Sequence, residues 1–159
     1  MANQDPQPEV YTTVHDFNIA LVTGTQNQVS IFTNQANNEE VRIYAVAVEA
    51  EFLSDTGLQI TSTTDPKFTM PTDFTMQLRV GPNDIPSNAF DIGWIYRNQD
   101  QTMAFTVPVI VLFQQPLTVI ITANSGVAAF TYNGATVDVI RWKVSLIGEL
   151  AIQKVACVN

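Results

Sequence analysis

Apolar and polar residues alternate along much of the chain, and this pattern predicts β-strands. In residues 74–80, every second residue from Phe74 to Val80 is apolar and the others are polar. A strand with one face on a core points every second side chain inward, so we expect this segment to be half-buried. Residues 117–123 and 140–146 repeat the pattern and are rich in the β-branched and aromatic residues that suit strands.

The longest alternating segment covers residues 40–53. Its apolar face is formed by Tyr44, Val46, Val48, Ala50 and Phe52, and its polar face by Arg42, Glu49 and Glu51. Ile43, Ala45 and Ala47 make the first half apolar on both sides. We expect one long strand, apolar on both sides at its start, whose second side there faces a second sheet, another subunit or a loop.

Shorter apolar runs between turn signals bring the predicted total to about ten strands. They are residues 10–14, 17–23, 28–33, 58–62, 102–107 and 127–132. The most secure turn is Asn133-Gly134, because both residues accept the positive φ of a tight hairpin. One short helical turn is expected within residues 85–94, and no segment shows sustained helical periodicity. The chain therefore predicts an all-β, antiparallel β-sandwich of eight to ten strands.

One domain accounts for the whole length of 159 residues. We expect a flexible N-terminal arm over residues 1–9, a single β-sandwich domain over 10–156 and a C-terminal tail over 157–159. The first nine residues lack the basic and apolar regions of a signal peptide, which favours an intracellular start. The longest apolar run, residues 103–113, is too short for a membrane helix.

Charge narrows the set of partners. The chain has 7 Lys and Arg against 15 Asp and Glu, a formal net charge of -8, and its cations form no cluster. Direct binding to nucleic acid or to an anionic membrane is therefore disfavoured. Only 14% of residues are charged, so amides and hydroxyls supply most of the polar surface. Such a surface tolerates close contact with other proteins.

Catalytic chemistry finds little support in the residues present. Nucleophilic catalysis requires a base beside the nucleophile, and the one histidine, His15, is far in sequence from the one cysteine, Cys157. Glu49 and Glu51 have a spacing that fits a pair of glycosidase carboxylates, but carboxylates two apart on a strand are typical of a solvated face. We therefore expect no enzyme activity and no cofactor.

Loop acids offer two weak candidates for calcium, neither with an EF-hand pattern. One combines Asp84 and Asp91 with the carbonyls of Asn83 and Asn88, and the other combines Asp5, Glu9 and Asp16 with His15. We predict no metal site. Among the aromatics, Trp142 belongs to the apolar face of a strand and so to the core. Trp94 and Tyr96, between a loop and a polar run, are the candidate contact surface.

A resemblance enters at residues 104–124, where an apolar strand, a proline-marked corner and a strand ending in Asn124 follow one another. A polar turn and a closing strand over residues 137–148 complete the order. This order resembles the carboxyl-terminal half of single jelly-roll virion proteins of bacterial and archaeal viruses.

The resemblance implies a capsid, penton, decoration or spike subunit that self-associates and contacts other virion proteins, assembled in the host cytoplasm and located in the virion. The alternative is a non-catalytic module that recognises a carbohydrate or a receptor, and it predicts an exposed aromatic cluster at Trp94 and Tyr96. A cupin-like enzyme is disfavoured, because a cupin metal site requires several histidines.

Overall fold

The computed structural model describes residues 9–35, 39–63 and 73–152, and these residues form an antiparallel β-sandwich. The predicted all-β sandwich is thus confirmed. Residues 1–8 of the predicted arm and the predicted tail, with Cys157, lie outside the described residues, as does Asp5.

Ten strands and one short helix follow each other along the described chain. They are β1 (Glu9–Ala20), β2 (Gln26–Thr33), β3 (Glu39–Leu53), β4 (Phe74–Val80), β5 (Asn83–Asp91), α1 (Ile92–Arg97), β6 (Thr102–Val111), β7 (Pro116–Ala123), β8 (Phe130–Tyr132), β9 (Ala135–Val137) and β10 (Val139–Ile152). The first sheet has the order β1-β10-β3-β6 and the second has the order β2-β7-β4-β5. A separate hairpin pairs β8 with β9.

The core lies between the two four-stranded sheets, where the predicted inward faces meet. The alternate residues of β4 from Phe74 to Val80 are buried, as are those of β10 from Ile140 to Leu146. Trp142 is at the centre, with edge-to-face ring contacts at 5.4 Å to Phe74 and 5.8 Å to Tyr96. Its assignment to the core is confirmed. Ring pairs in this geometry stabilise the core beyond what their buried area alone contributes.

The first strand corrects the prediction of two separate segments at residues 10–14 and 17–23. β1 runs unbroken through His15 and Asp16 because both continue the alternation, His15 on the side that faces the core. The ring Nε2 of His15 lies 2.6 Å from the Thr13 hydroxyl oxygen, so a hydrogen bond accompanies the half-buried position.

Three further local predictions are tested by the described backbone. Asn133 and Gly134 have φ of 48° and 74° and close the β8–β9 hairpin, as expected. Residues 58–62 form no strand, and only an isolated bridge joins Leu53 to Gln59. Helix α1 overlaps only the end of the range 85–94, since β5 extends through Asp91.

A β-bulge explains why the start of β3 looked apolar on both sides. The register between β3 and β10 shifts at Tyr44, so that Ile43 and Val46 both face the core although three positions separate them. An extra residue on one strand reverses its alternation. Tyr44, predicted to face the core, is therefore on the outer face. Ala45 also lies on the outer face rather than against a second sheet.

Candidate functional site

The two predicted contact aromatics lie on opposite sides of helix α1, at the end of the sandwich where β5 turns into β6. Tyr96 is only 5% exposed and packs on Trp142, whereas Trp94 is 57% exposed. Ile92 and Ile95 share the buried side with Tyr96, as the helical period requires. The structure thus removes Tyr96 from the surface, and of this pair only Trp94 is exposed.

The acids near this helix have structural partners of their own. The Asp91 carboxylate accepts a hydrogen bond at 2.9 Å from the backbone N–H of Trp94 and so caps α1. Asp84 accepts at 2.7 Å from the Arg79 guanidinium. The side chains of Glu9 and Asn88, from the two calcium candidates, lie outside the described ones. Among the side chains that the structure describes, no group of three or more His, Cys, Asp or Glu is placed to hold a metal ion.

The outer face of the first sheet presents a different kind of surface, which the sequence did not single out. Residues directly opposite in an antiparallel register share one face. Two neighbouring rows cross all four strands here, from β1 through β10 and β3 to β6. We call them the apolar band: Thr12, Ile147, Ala45 and Ala104 in one row, and Val14, Ser145, Ala47 and Thr102 in the other.

Four of the eight residues of the apolar band are exposed and the other four are half-buried. Val14 is 59% exposed and Ile147 is 36% exposed. Ala45 and Ala47 lie on β3, between Ile147 and the edge strand β6, and their short side chains project little from the sheet. Nothing in the described chain covers this face, so apolar surface is left in contact with water at a cost that a partner would remove.

Charged side chains border the apolar band on both sides along the strands. On one side, Lys143 Nζ lies 2.6 Å from one Glu51 oxygen and Arg141 lies 3.1 Å from the other. On the opposite side, Arg42 lies 3.3 Å from Glu149, which also accepts a hydrogen bond from the Tyr44 hydroxyl. The face is therefore an uncharged centre between two rims of mixed sign.

The ion pair between Lys143 and Glu51 shifts the pKa of both side chains. The hydrogen bond from Lys143 holds the pKa of Glu51 below its ordinary value, against a smaller opposing effect of burial. The same bond raises the pKa of Lys143. Of the two carboxylates considered for glycoside hydrolysis, Glu51 is thus held ionised by two cations, while Glu49 is exposed on the same face. The lowered pKa of Glu51 is the opposite of what a general acid requires.

The outer face of the second sheet is lined mainly by neutral polar groups, with the Arg79–Asp84 ion pair in a neighbouring row. Its rows pair Gln26 with Thr122 and Thr75, and Gln28 with Ile120 and Gln77. The amide of Gln26 donates a hydrogen bond of 3.1 Å to the Thr122 hydroxyl. The two outer faces of the sandwich are therefore chemically distinct.

Comparison with known proteins identifies no family. No protein-family model matches the chain, and no curated protein matches it. Among solved structures, it is similar to dimeric latent PorU from Porphyromonas gingivalis, with 11% identity and a TM-score of 0.37. That similarity covers 96% of this chain but 14% of the PorU chain, and at this score it carries no argument about function. Among the described residues, no helix has the length and apolarity needed to span a membrane.

Proposed function

We propose that this chain is a structural virion protein, a capsid, penton or decoration subunit built on a single jelly roll. The observation that carries the proposal is the order of strand pairing. With the β8–β9 hairpin set aside, the first of the eight sandwich strands pairs with the last, the second with the seventh, the third with the sixth and the fourth with the fifth. A jelly roll is such a folded ribbon of four strand pairs, and viral capsid domains are among the proteins that use it.

The surface chemistry supports a role in assembly. A low proportion of charged residues and an amide-lined outer sheet face reduce the desolvation cost of contact between subunits. The first sheet offers an exposed apolar band between charged rims, the pattern of a protein contact with an apolar centre and a polar rim. The rigid sandwich would serve as the building block, and its surfaces would supply contacts to copies of itself and to other virion proteins.

Solution mass tests the proposal directly. Light scattering coupled to size exclusion, from micromolar to millimolar protein and from low to high salt, is expected to show a defined trimer, pentamer or larger closed assembly. Electron microscopy of the same fractions would show the symmetry of that assembly. A chain that remains a monomer or stops at a dimer at the highest concentration would contradict the proposal.

A non-catalytic module that binds a carbohydrate or receptor is the second candidate, favoured by the exposed ring of Trp94. Burial of Tyr96 removes the second aromatic that this candidate required. Glycan-array binding that is lost in Trp94→Ala, with an unchanged thermal midpoint, would support it. An array with no signal for the wild-type chain would exclude glycans as the ligand.

A further inference from the structure

We propose that the outer face of the first sheet binds the same face of a second copy of this chain, forming a two-fold dimer. The axis lies in the interface and crosses the strands between the two rows of the apolar band. This inference deepens the proposed function, because it names one surface through which the subunits associate. The arguments for a second copy are the charges on the face and the shape of its centre.

The charges reverse their sign on the two sides of this axis. On β10, Lys143 and Glu149 are each three residues from Leu146, and both point outward. A two-fold rotation about an axis across the strands lays β10 on β10 in antiparallel direction. Lys143 of each copy then faces Glu149 of the other.

The neighbouring strand β3 has the same property with the signs exchanged. On β3, Glu49 lies directly opposite Lys143 and Arg42 lies directly opposite Glu149, so these two residues are also on opposite sides of the axis. The same rotation lays Arg42 of each copy over Glu49 of the other. Four opposite-charge contacts therefore arise from one symmetry operation, and an unrelated partner would have to supply the matching pattern separately.

The apolar band is also complementary to itself. The rotation exchanges its two rows, so that Ile147 lies over Ser145 of the other copy and Val14 lies over Thr12. Ile147 then meets a smaller side chain, while Ala45 and Ala47 face each other at the centre. Close approach of the two sheets follows, with strands kept within the roughly 30° at which sheets pack face to face.

The size of the face sets the expected strength. Four strands about 4.8 Å apart and four rows about 6.8 Å apart cover roughly 500 Å² on each copy. Two such faces give roughly 1,000 Å² in total, near the lower limit for a specific interface. We therefore expect a dissociation constant in the micromolar range, suited to a contact that acts with others in a larger assembly.

The first test places a charge at the centre of the face. The side chain introduced by Ala47→Lys has solvent above it in the monomer but meets the apolar band of the second copy in the dimer. Analytical ultracentrifugation is expected to show a dissociation constant raised roughly 100-fold or more. Ser30→Lys, which adds the same charge to the exposed outer side of β2, is the matched control and is expected to leave dimerisation unchanged. Equal dimerisation by both variants would overturn the proposal.

The second test uses the predicted charge pairing. Glu49→Lys places an ammonium group against Arg42 of the other copy at two equivalent positions, and Arg42→Glu places two carboxylates together. Each variant alone is expected to lose this two-fold contact at low salt. An equimolar mixture pairs the introduced ammonium with the introduced carboxylate and is expected to dimerise. A mixture no tighter than either variant alone, with all thermal midpoints near the wild type, would overturn the geometry.

The outcomes separate this inference from the proposed function. A large closed assembly that survives Ala47→Lys would leave the virion proposal standing and refute this interface. A wild-type chain that stops at a dimer broken by Ala47→Lys would support the interface and refute the virion proposal. A wild-type monomer at millimolar concentration would refute both.

Discussion

Replacing Gly148 by alanine should destabilise the fold more than the same change at any of the five glycines with positive φ. Gly148 lies in β10 opposite Ile43, where the bulge brings the two central strands of the first sheet together. A Cβ atom at this position would stand 2.0 Å from the carbonyl oxygen of Arg42 and 3.0 Å from the Cα of Ile43. Both contacts are to backbone, which cannot rotate away as a side chain can.

The magnitude follows from that distance. Ordinary contact begins at 3.4 Å, so the two strands would have to separate locally by 3.4 less 2.0, or 1.4 Å. Overfilled cores typically cost about 1–3 kcal/mol, and the rigidity of the backbone puts this case near the upper end, at about 3 kcal/mol. For a domain of this size, about 2–4 °C per kcal/mol gives a fall in the thermal midpoint of roughly 6–12 °C.

Calorimetry or urea unfolding would measure this loss, with Gly134→Ala as the control. Gly134 has a φ of +74° and no atom within 4 Å of an added Cβ, so its substitution costs strain without a clash, about 1 kcal/mol. If Gly148→Ala lowers the free energy of unfolding no more than Gly134→Ala does, the close approach of β3 and β10 is refuted. The bulge that places Arg42 on the outer face would then be refuted as well.

Three more predictions concern a charge, a ring and an amide. Because the hydrogen bond from Lys143 depresses the folded-state pKa of Glu51, its stabilising effect is present above the ordinary value of 4.5 and is lost as the pH falls through the lower folded value. Melting curves should show Glu51→Gln less stable than wild type near pH 7 and equal to it at strongly acidic pH. Tyr96 is buried, so Tyr96→Ala should lower the free energy of unfolding by about 3–5 kcal/mol in urea titrations. Trp94 is exposed, so Trp94→Ala should change it by less than about 0.5 kcal/mol. Similar losses from the two variants would refute the placement of the helix. The Asn34 amide donates hydrogen bonds of 2.9 and 3.2 Å to the carbonyls of Glu39 and Val111. Asn34→Ala removes both and should lower the free energy of unfolding by about 2 kcal/mol. An unchanged thermal midpoint by circular dichroism would contradict a stabilising role for these bonds.

Strand identity could be predicted from the sequence wherever a strand has one dry face and one wet face. In β4 the inward residues are all apolar and the outward ones all polar, so the alternation in the sequence directly reflects burial. The hairpin at Asn133 was predictable for a different reason, since few residues adopt its positive φ. Helix α1 was harder, because six residues give less than two full turns of periodic signal.

The outer face of the first sheet shows why a surface can escape prediction even when all of its residues are known. Ala45 and Ala47 are apolar positions in the sequence, but which side of the sheet Ala45 occupies depends on the Tyr44 bulge. A shift of one residue moves a side chain to the opposite face. The bulge in turn depends on Gly148, far from Tyr44 along the chain, because only a residue without a Cβ admits the Arg42 carbonyl. Periodicity within one segment carries no information about such a contact, so the sign-reversing charges of β3 and β10 become a pattern only when the register between the two strands is known.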